Sequence, residues 1–257
     1  MGTIFRLKCN QTPPIHHPSP MPRSHDSGGV WTSMGALERE SGRRHTLDLP
    51  LLALRLVPFF VSCALYFLLW LPSDKPSWTS ALVKCLPILC LAFLVHTTAP
   101  TGCSSRFIQG GLLCSALGDV FLIWPNQFLF GMAAFGMAHL FYLGALGWLP
   151  TRLAHLGAVT AVSSLYFGHL QPHLPSDLSL PVAVYMAILG LMLWRALARG
   201  RTAALGGLFF SLSDSVLAWD AFVQPLPPAR LIIMGTYYTA QALLALSTVE
   251  TRGSGAD

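Results

Sequence analysis

Between residues 50 and 248 the chain is a succession of eight apolar runs, at about 50–71, 78–98, 106–124, 128–149, 153–170, 179–199, 203–222 and 229–248. Each is close to the roughly 20 residues a helix needs to cross the hydrocarbon of a bilayer. A helix satisfies its own backbone there, whereas an open loop does not. The breaks carry Pro72-Ser73-Asp74, Pro100-Thr101-Gly102, Pro125-Asn126, Pro150, Pro172 and Pro225-Leu226-Pro227-Pro228, residues that end helices or make turns. The expected fold class is therefore all-α, a polytopic membrane protein with an eight-helix transmembrane bundle over residues 49–249. Only 11% of the residues are charged, against about 25% in soluble domains. The fifth run is the weakest, because it holds His155 and ends near Tyr166 and His169.

Residues 1–48 are rich in Pro, His, Ser and Arg, with Pro13-Pro14, His16-His17 and Pro18-Ser19-Pro20. They hold no apolar run long enough for a signal-peptide core and read as a disordered cytosolic tail. Residues 250–257 read as a short cytosolic C-terminal tail. Orientation follows the excess of Lys and Arg in cytosolic loops. With the N-terminus cytosolic, that side holds Arg43, Arg44, Arg106, Arg152, Arg195, Arg199, Arg201 and Arg252, and the opposite side chiefly Lys75 and Arg230. Both termini are thus expected in the cytosol, with an even number of spans. A net charge of +5, with the arginines gathered at span ends, gives no reason to expect nucleic acid as a partner. The six cysteines form no CxxC pair and read as reduced packing residues.

Two aspartates lie inside these runs in matching settings, Leu117-Gly118-Asp119 … Trp124 and Leu212-Ser213-Asp214 … Trp219. A carboxylate in hydrocarbon costs about 3 to more than 10 kcal/mol and normally faces a bundle interior or a wet cavity. Its default reading is functional. At an offset of 95 residues, Gly111/Gly206, Leu113/Leu208, Leu117/Leu212, Asp119/Asp214, Leu122/Leu217, Trp124/Trp219, Tyr142/Tyr237 and Ala145/Ala240 coincide. Four spans separate the two copies, so the pattern suggests two parallel four-helix repeats about an axis along the membrane normal.

Each aspartate is followed by a span bearing polar aromatics. His139 and Tyr142 are three apart and share a helix face, as do Tyr238 and Gln241. Gly131, Gly136, Ala138, Gly235 and Ala240 would let these helices approach closely. The candidate catalytic residues are Asp119, Asp214, His139, Tyr142, Tyr237 and Tyr238, and the candidate substrate-binding residues are Lys84, Ser213 and Gln241. Each has a plainer reading: His139 as an interhelical hydrogen bonder, the tyrosines as packing aromatics, Ser211 and Ser213 bonded to their own helix, Asp220 as a solvated helix end, and Lys84 as a residue snorkelling to the interface. The aspartates fit a packing role least well. Counted from Trp124 at 1.5 Å per residue, Asp119 lies about 7–8 Å deep, and His139 counted from Phe128 about 16 Å. Direct contact between them would need helix offset, tilt or a bridging water.

The chain has no GxSxG elbow, Walker A loop or HExxH motif. His169 and His173 have i,i+4 spacing, but Pro172 between them breaks the helix that would align them. A zinc site of His96, His139 and His155 would need a convergence the sequence does not display, and no metal is expected.

The strings Gly118-Asp119 … Phe130-x4-Phe135-x3-His139-x2-Tyr142 and Ser213-Asp214 … Tyr237-Tyr238-x2-Gln241 resemble those of the YhhN-type, or transmembrane-86, family of eight-span membrane proteins. Lys84 with Pro87 resembles that family's early motif, and the likeness covers about residues 55–248. Residues 81–87, 131–135 and 224–227 are similar to the B-type branch of the family in mammals. The resemblance implies a lysoplasmalogenase of the endoplasmic reticulum membrane, hydrolysing the vinyl-ether bond of a lysophospholipid to a fatty aldehyde and glycerophosphoethanolamine or glycerophosphocholine. It implies no cofactor, and it leaves a homodimer open.

Vinyl ethers hydrolyse by proton transfer to the β-carbon, capture of the oxocarbenium-like species by water, and collapse of the hemiacetal. Desolvation favours the neutral form of a carboxyl group in an apolar pocket, so one aspartate can act as acid while a hydrogen-bonded one stays ionised. Most glycosidases place two carboxylates around a similar transition state. His139, Tyr142, Tyr237 and Tyr238 would orient the carboxylates or the water, and Lys84 or an interfacial arginine would meet the phosphate. The residues alone do not separate acid from base. They also fit a non-enzymatic proton-coupled transporter or receptor-like bundle, since midplane carboxylates and parallel repeats suit transport. A lipid hydrolase using a metal is a further rival.

Overall fold

The structure, a computed structural model, describes residues 51–69, 76–99 and 102–250. The expected tails at 1–48 and 250–257 lie outside the described residues, except for Glu250, which ends the last described helix. Two compact units divide the chain, residues 1–55 and 56–257, and every contact given below lies within the second.

All eight apolar runs are helical, and no strand occurs among the described residues. The helices are α1 (Leu51–Leu69), α2 (Trp78–Thr98), α3 (Cys103–Phe121), α4 (Phe128–Leu146), α5 (Leu153–Leu170), α6 (Ser176–Arg199), α7 (Arg201–Phe222) and α8 (Ala229–Glu250). Local chemistry sets the ends. Ser77 caps α2 by accepting the Ser80 N–H at 3.1 Å. Gly147, at φ 68°, ends α4 three residues before the expected limit of 149, in a conformation that glycine adopts without a Cβ clash.

Five helical segments are long and apolar enough to cross a membrane: Leu51–Leu69, Trp78–Thr98, Pro125–Leu146, Ser176–Arg199 and Arg201–Phe222. Helices α3 and α8 carry Asp119 and Gln241 in the protein interior. Side chains such as Leu68, Leu165 and Leu180 point outward, while Ser115, Asp119, His139, Arg195, Ser213 and Gln241 are buried. Apolar outside and partly polar inside is the distribution of a polytopic helical membrane protein. Tryptophans mark both ends, with Trp78, Trp124 and Trp219 at one and Trp148 and Trp194 at the other, as at the two interfaces of a bilayer.

The most extensive packing is α3 on α4 and α7 on α8; α2 lies on α3, α6 on α7 and on α4, and α8 also meets α2 and α3. Close approach of α3 and α4 depends on glycines of α3 as well as on Gly131 of α4. A Cβ at Gly118 would lie 2.7 Å from the Phe135 ring, and one at Gly111 would overlap the Tyr142 ring. Gly131 does the same for Leu122, whereas Gly235 has no neighbour within 4 Å and serves no close contact. Helix α5 is peripheral, burying only Val159 and Leu170. At the arginine-rich end, fully buried Arg195 clamps the α4–α5 connection, its Nε donating to Gly147 O at 2.6 Å and its Nη1 to Pro150 O at 2.7 Å.

Cys63, Cys85, Cys90 and Cys114 are free thiols within helices.

Candidate active site

Asp119 is buried in the middle of the bundle, on the last turns of α3. Its Oδ1 lies 3.3 Å from the Lys84 Nζ of α2, and its Oδ2 accepts a hydrogen bond from the Tyr237 hydroxyl of α8 at 2.7 Å. Lys84 therefore does not only snorkel: its ammonium is the counter-ion of this carboxylate. The adjacent Tyr238 donates to the Lys84 carbonyl at 2.9 Å and so ties α8 to the same turn of α2.

Asp214 on α7 has a different set of partners. Its Oδ2 accepts from the Tyr185 hydroxyl of α6 at 2.5 Å and lies 3.5 Å from His139 Nε2 of α4. His139 Nε2 is also 3.0 Å from the Tyr185 oxygen. Tyr185 has one proton, and giving it to Asp214 makes Nε2–H the donor to the tyrosine oxygen. The result is a short chain, His139 to Tyr185 to Asp214. The other ring nitrogen, Nδ1, is buried without a hydrogen-bond partner among the described residues. His139 serves Asp214 and not Asp119, and the Tyr185 hydroxyl bridges the two.

Both aspartates line one cavity, together with Lys84, Tyr185, Ser213 and Tyr237. Its remaining wall is largely apolar and comes mostly from α4 to α8, with Met132, Phe135, Leu170, Val182, Met186 and Leu189 among the lining residues. It offers about 120 Å³ to the centres of water-sized spheres. One water needs roughly 10–15 Å³ on that measure, so several fit beside the carboxylates. Fully buried Phe210 packs edge-on to His139 and Tyr237, with ring centroids 4.6 and 5.6 Å apart, and so touches a member of each acidic group.

Tyr142 and Gln241 do not line this cavity. Tyr142 donates to Gln241 Oε1 at 2.6 Å and has Ser115 Oγ 3.3 Å away, so this pair links α4 to α8 without touching either aspartate. Ser213 lines the cavity but donates its hydroxyl across to Ile233 O of α8 at 3.0 Å, not to its own helix. Among the described residues no three His, Cys, Asp or Glu side chains gather in a metal-binding group. Tyr185 is a cavity residue, bonded to Asp214, that the sequence did not single out. Attention rested on the spans that follow each aspartate, whereas the signal was a lone tyrosine in the apolar stretch between Pro181 and Trp194.

Fold and site together define a polytopic helical membrane protein with two acidic centres sharing an intramembrane cavity. The profile of the YhhN family matches residues 79–248, and the chain belongs to that family. It is 52% identical over 198 residues to Lysoplasmalogenase TMEM86B of Mus musculus, covering 77% of this chain and 88% of that protein. Identity to Lysoplasmalogenase TMEM86A of Homo sapiens is 42% over 217 residues, covering 77% and 90%. A more distant relative, Lysoplasmalogenase of Mycobacterium tuberculosis (strain CDC 1551 / Oshkosh), is 34% identical over 173 residues, covering 61% and 64%. The likeness is thus greater to the B-type than to the A-type protein. No solved structure matches the chain.

Proposed function

We propose that this protein hydrolyses the vinyl-ether bond of lysoplasmalogens, with the two aspartates in unlike roles. The observation that carries the reading is one apolar cavity holding two carboxylates whose partners differ, an ammonium for Asp119 and a His–Tyr chain for Asp214. The relatives named lysoplasmalogenase supply the substrate.

In this mechanism Asp214 delivers a proton to the β-carbon of the vinyl ether, and the double-bond electrons form the new C–H bond. Positive charge then spreads over the α-carbon and the ether oxygen, where the Asp119 carboxylate stabilises it. Water adds to the α-carbon and passes its proton to Asp119. The hemiacetal breaks as Asp119 returns that proton to the departing glycerol oxygen, while the hemiacetal hydroxyl proton goes back to the Asp214 chain. Aldehyde and glycerophospho-headgroup leave, and both groups regain their starting states. Water is the only co-substrate. General acid–base assistance of this kind contributes about 10²–10⁴-fold per group.

The eight helices are all taken to span the membrane, with both termini cytosolic and the endoplasmic reticulum as the site. Arg106, Arg152, Arg195, Arg199 and Arg201 at one end of the bundle support that orientation. The internal duplication is supported by partner choice: Asp119 draws on α2 and α8, and Asp214 on α6 and α4, which are the elements four positions away. The test is aldehyde release from a lysoplasmalogen by purified protein in detergent. Transport needs a sealed bilayer and hydrolysis does not, so an inactive protein that remains folded would remove the enzymatic reading.

A further inference from the structure

A second cavity adjoins the first and is larger, about 280 Å³ against 120 Å³ on the same measure. Lys84, Leu122, Leu217, Ile233 and Met234 line both. The second opens at the end of the bundle where α2 and α8 begin and α3 and α7 finish, next to Pro76, Ile123, Asp220 and Arg230. Its walls are polar in a specific way. Arg230 is half-buried, its Nε donating to the Tyr66 hydroxyl at 3.2 Å and its guanidinium lying 5.3 Å over the Tyr66 ring. Asp220 accepts the Leu226 N–H on Oδ1 at 2.7 Å, and its Oδ2 has no partner among the described residues. A fixed cation and a fixed anion therefore line the same cavity, one wall away from the carboxylates that would do the chemistry.

We infer that this second cavity binds a zwitterionic phosphodiester–ammonium headgroup, with Arg230 and Lys84 meeting the phosphate and Asp220 the ammonium. The inference rests on the hydrolase reading and names the subsite that reading leaves open. Guanidinium suits a phosphate at an interface, since its donors form a planar fork. The stacking on Tyr66 holds that fork in place. A substrate bound this way lays its glycerol across Lys84 and its alkenyl chain into the apolar first cavity, with the vinyl ether between Asp119 and Asp214. The geometry also gives Lys84 two duties, because its ammonium faces Asp119 from the wall that the two cavities share.

The experiment uses the full chain in detergent and compares three substrates: an alkenyl-glycerophosphoethanolamine, an alkenyl-glycerophosphate without the amine, and an alkenyl-glycerol without a headgroup. Arg230→Gln should lower the kcat/KM preference for phosphorylated over headgroup-free substrate at least tenfold, through KM, and Arg230→Lys should recover part of it. Asp220→Asn should lower the preference for the amine-bearing substrate over the glycerophosphate. Tyr66→Phe deletes the hydrogen bond to Arg230 and keeps the ring. It should keep most of the preference that Arg230→Gln loses; an equal loss would show that the Tyr66 hydrogen bond, not a phosphate contact, accounts for the Arg230→Gln effect, and would overturn the subsite. Preferences unchanged within twofold in Arg230→Gln overturn it as well. Glycerophosphoethanolamine should compete with substrate better than inorganic phosphate. Equal competition shows a general anion site and removes the role of Asp220. Wild-type protein inactive on all three substrates would instead sink the hydrolase reading itself.

Discussion

Lys84 and Tyr185 make two chemically alike aspartates unlike. One carboxylate faces an ammonium at 3.3 Å, and the other takes a tyrosine hydroxyl backed by a histidine. Asp119→Asn and Asp214→Asn keep shape and polarity but remove the proton chemistry, and each should lower kcat by at least about 10²-fold without preventing insertion. Near wild-type turnover in a folded variant would take that aspartate out of the mechanism. Tyr185→Phe tests the chain behind Asp214 separately. It deletes the donor to Oδ2 and breaks the path to His139, so kcat should fall while KM for the lysolipid holds, with thermal unfolding showing an intact fold. Equal loss in KM and kcat would make Tyr185 a wall residue rather than part of a proton path. At this scale the aspartates were legible, because a charge in an apolar run announces itself. Tyr185 was not, because a tyrosine in an apolar helix is an ordinary packing residue until its hydroxyl is seen to have partners.

The helices were legible almost to their ends, since membrane-length hydrophobicity and the Pro and Gly breaks dictate them. What sequence left open was which helix faces which. The α3–α4 hairpin illustrates why: its contact depends on where the ring of Phe135 meets the missing side chain of Gly118, a relation that no periodicity encodes. Gly118→Ala would push a methyl to 2.7 Å from that ring. Overpacking of this kind costs about 1–3 kcal/mol. Phe135 lies edge-on to Tyr237 at 5.8 Å, so its displacement also moves the donor to Asp119. The variant should melt earlier in detergent and turn over more slowly, and Phe135→Leu in the same chain should restore stability. A Gly118→Ala protein with wild-type melting would show that the hairpin yields without strain.

For the molecule as a whole, the unlike ends fix the topology to be tested. The five arginines at one end of the bundle against Arg230 at the other favour a cytosolic N-terminus with an even number of spans. Glycosylation acceptors inserted at residues 72–77 and 171–178 should be modified, and one at the C-terminus should not; the reverse pattern would overturn the orientation. Synthesis delivers the parts of the site one after another. Lys84 and Asp119 are made early and can pair while the chain is still growing, but the hydroxyls of Tyr237 and Tyr238 arrive only with the final helix. The same helix brings the acceptors for Ser213 and Tyr142. A nascent chain halted before Ala229 thus has most of its helices but not a finished active centre, and it leaves polar groups unmatched in hydrocarbon. Helix α8 is thus both a wall of the cavity and the element that completes the hydrogen bonds around it.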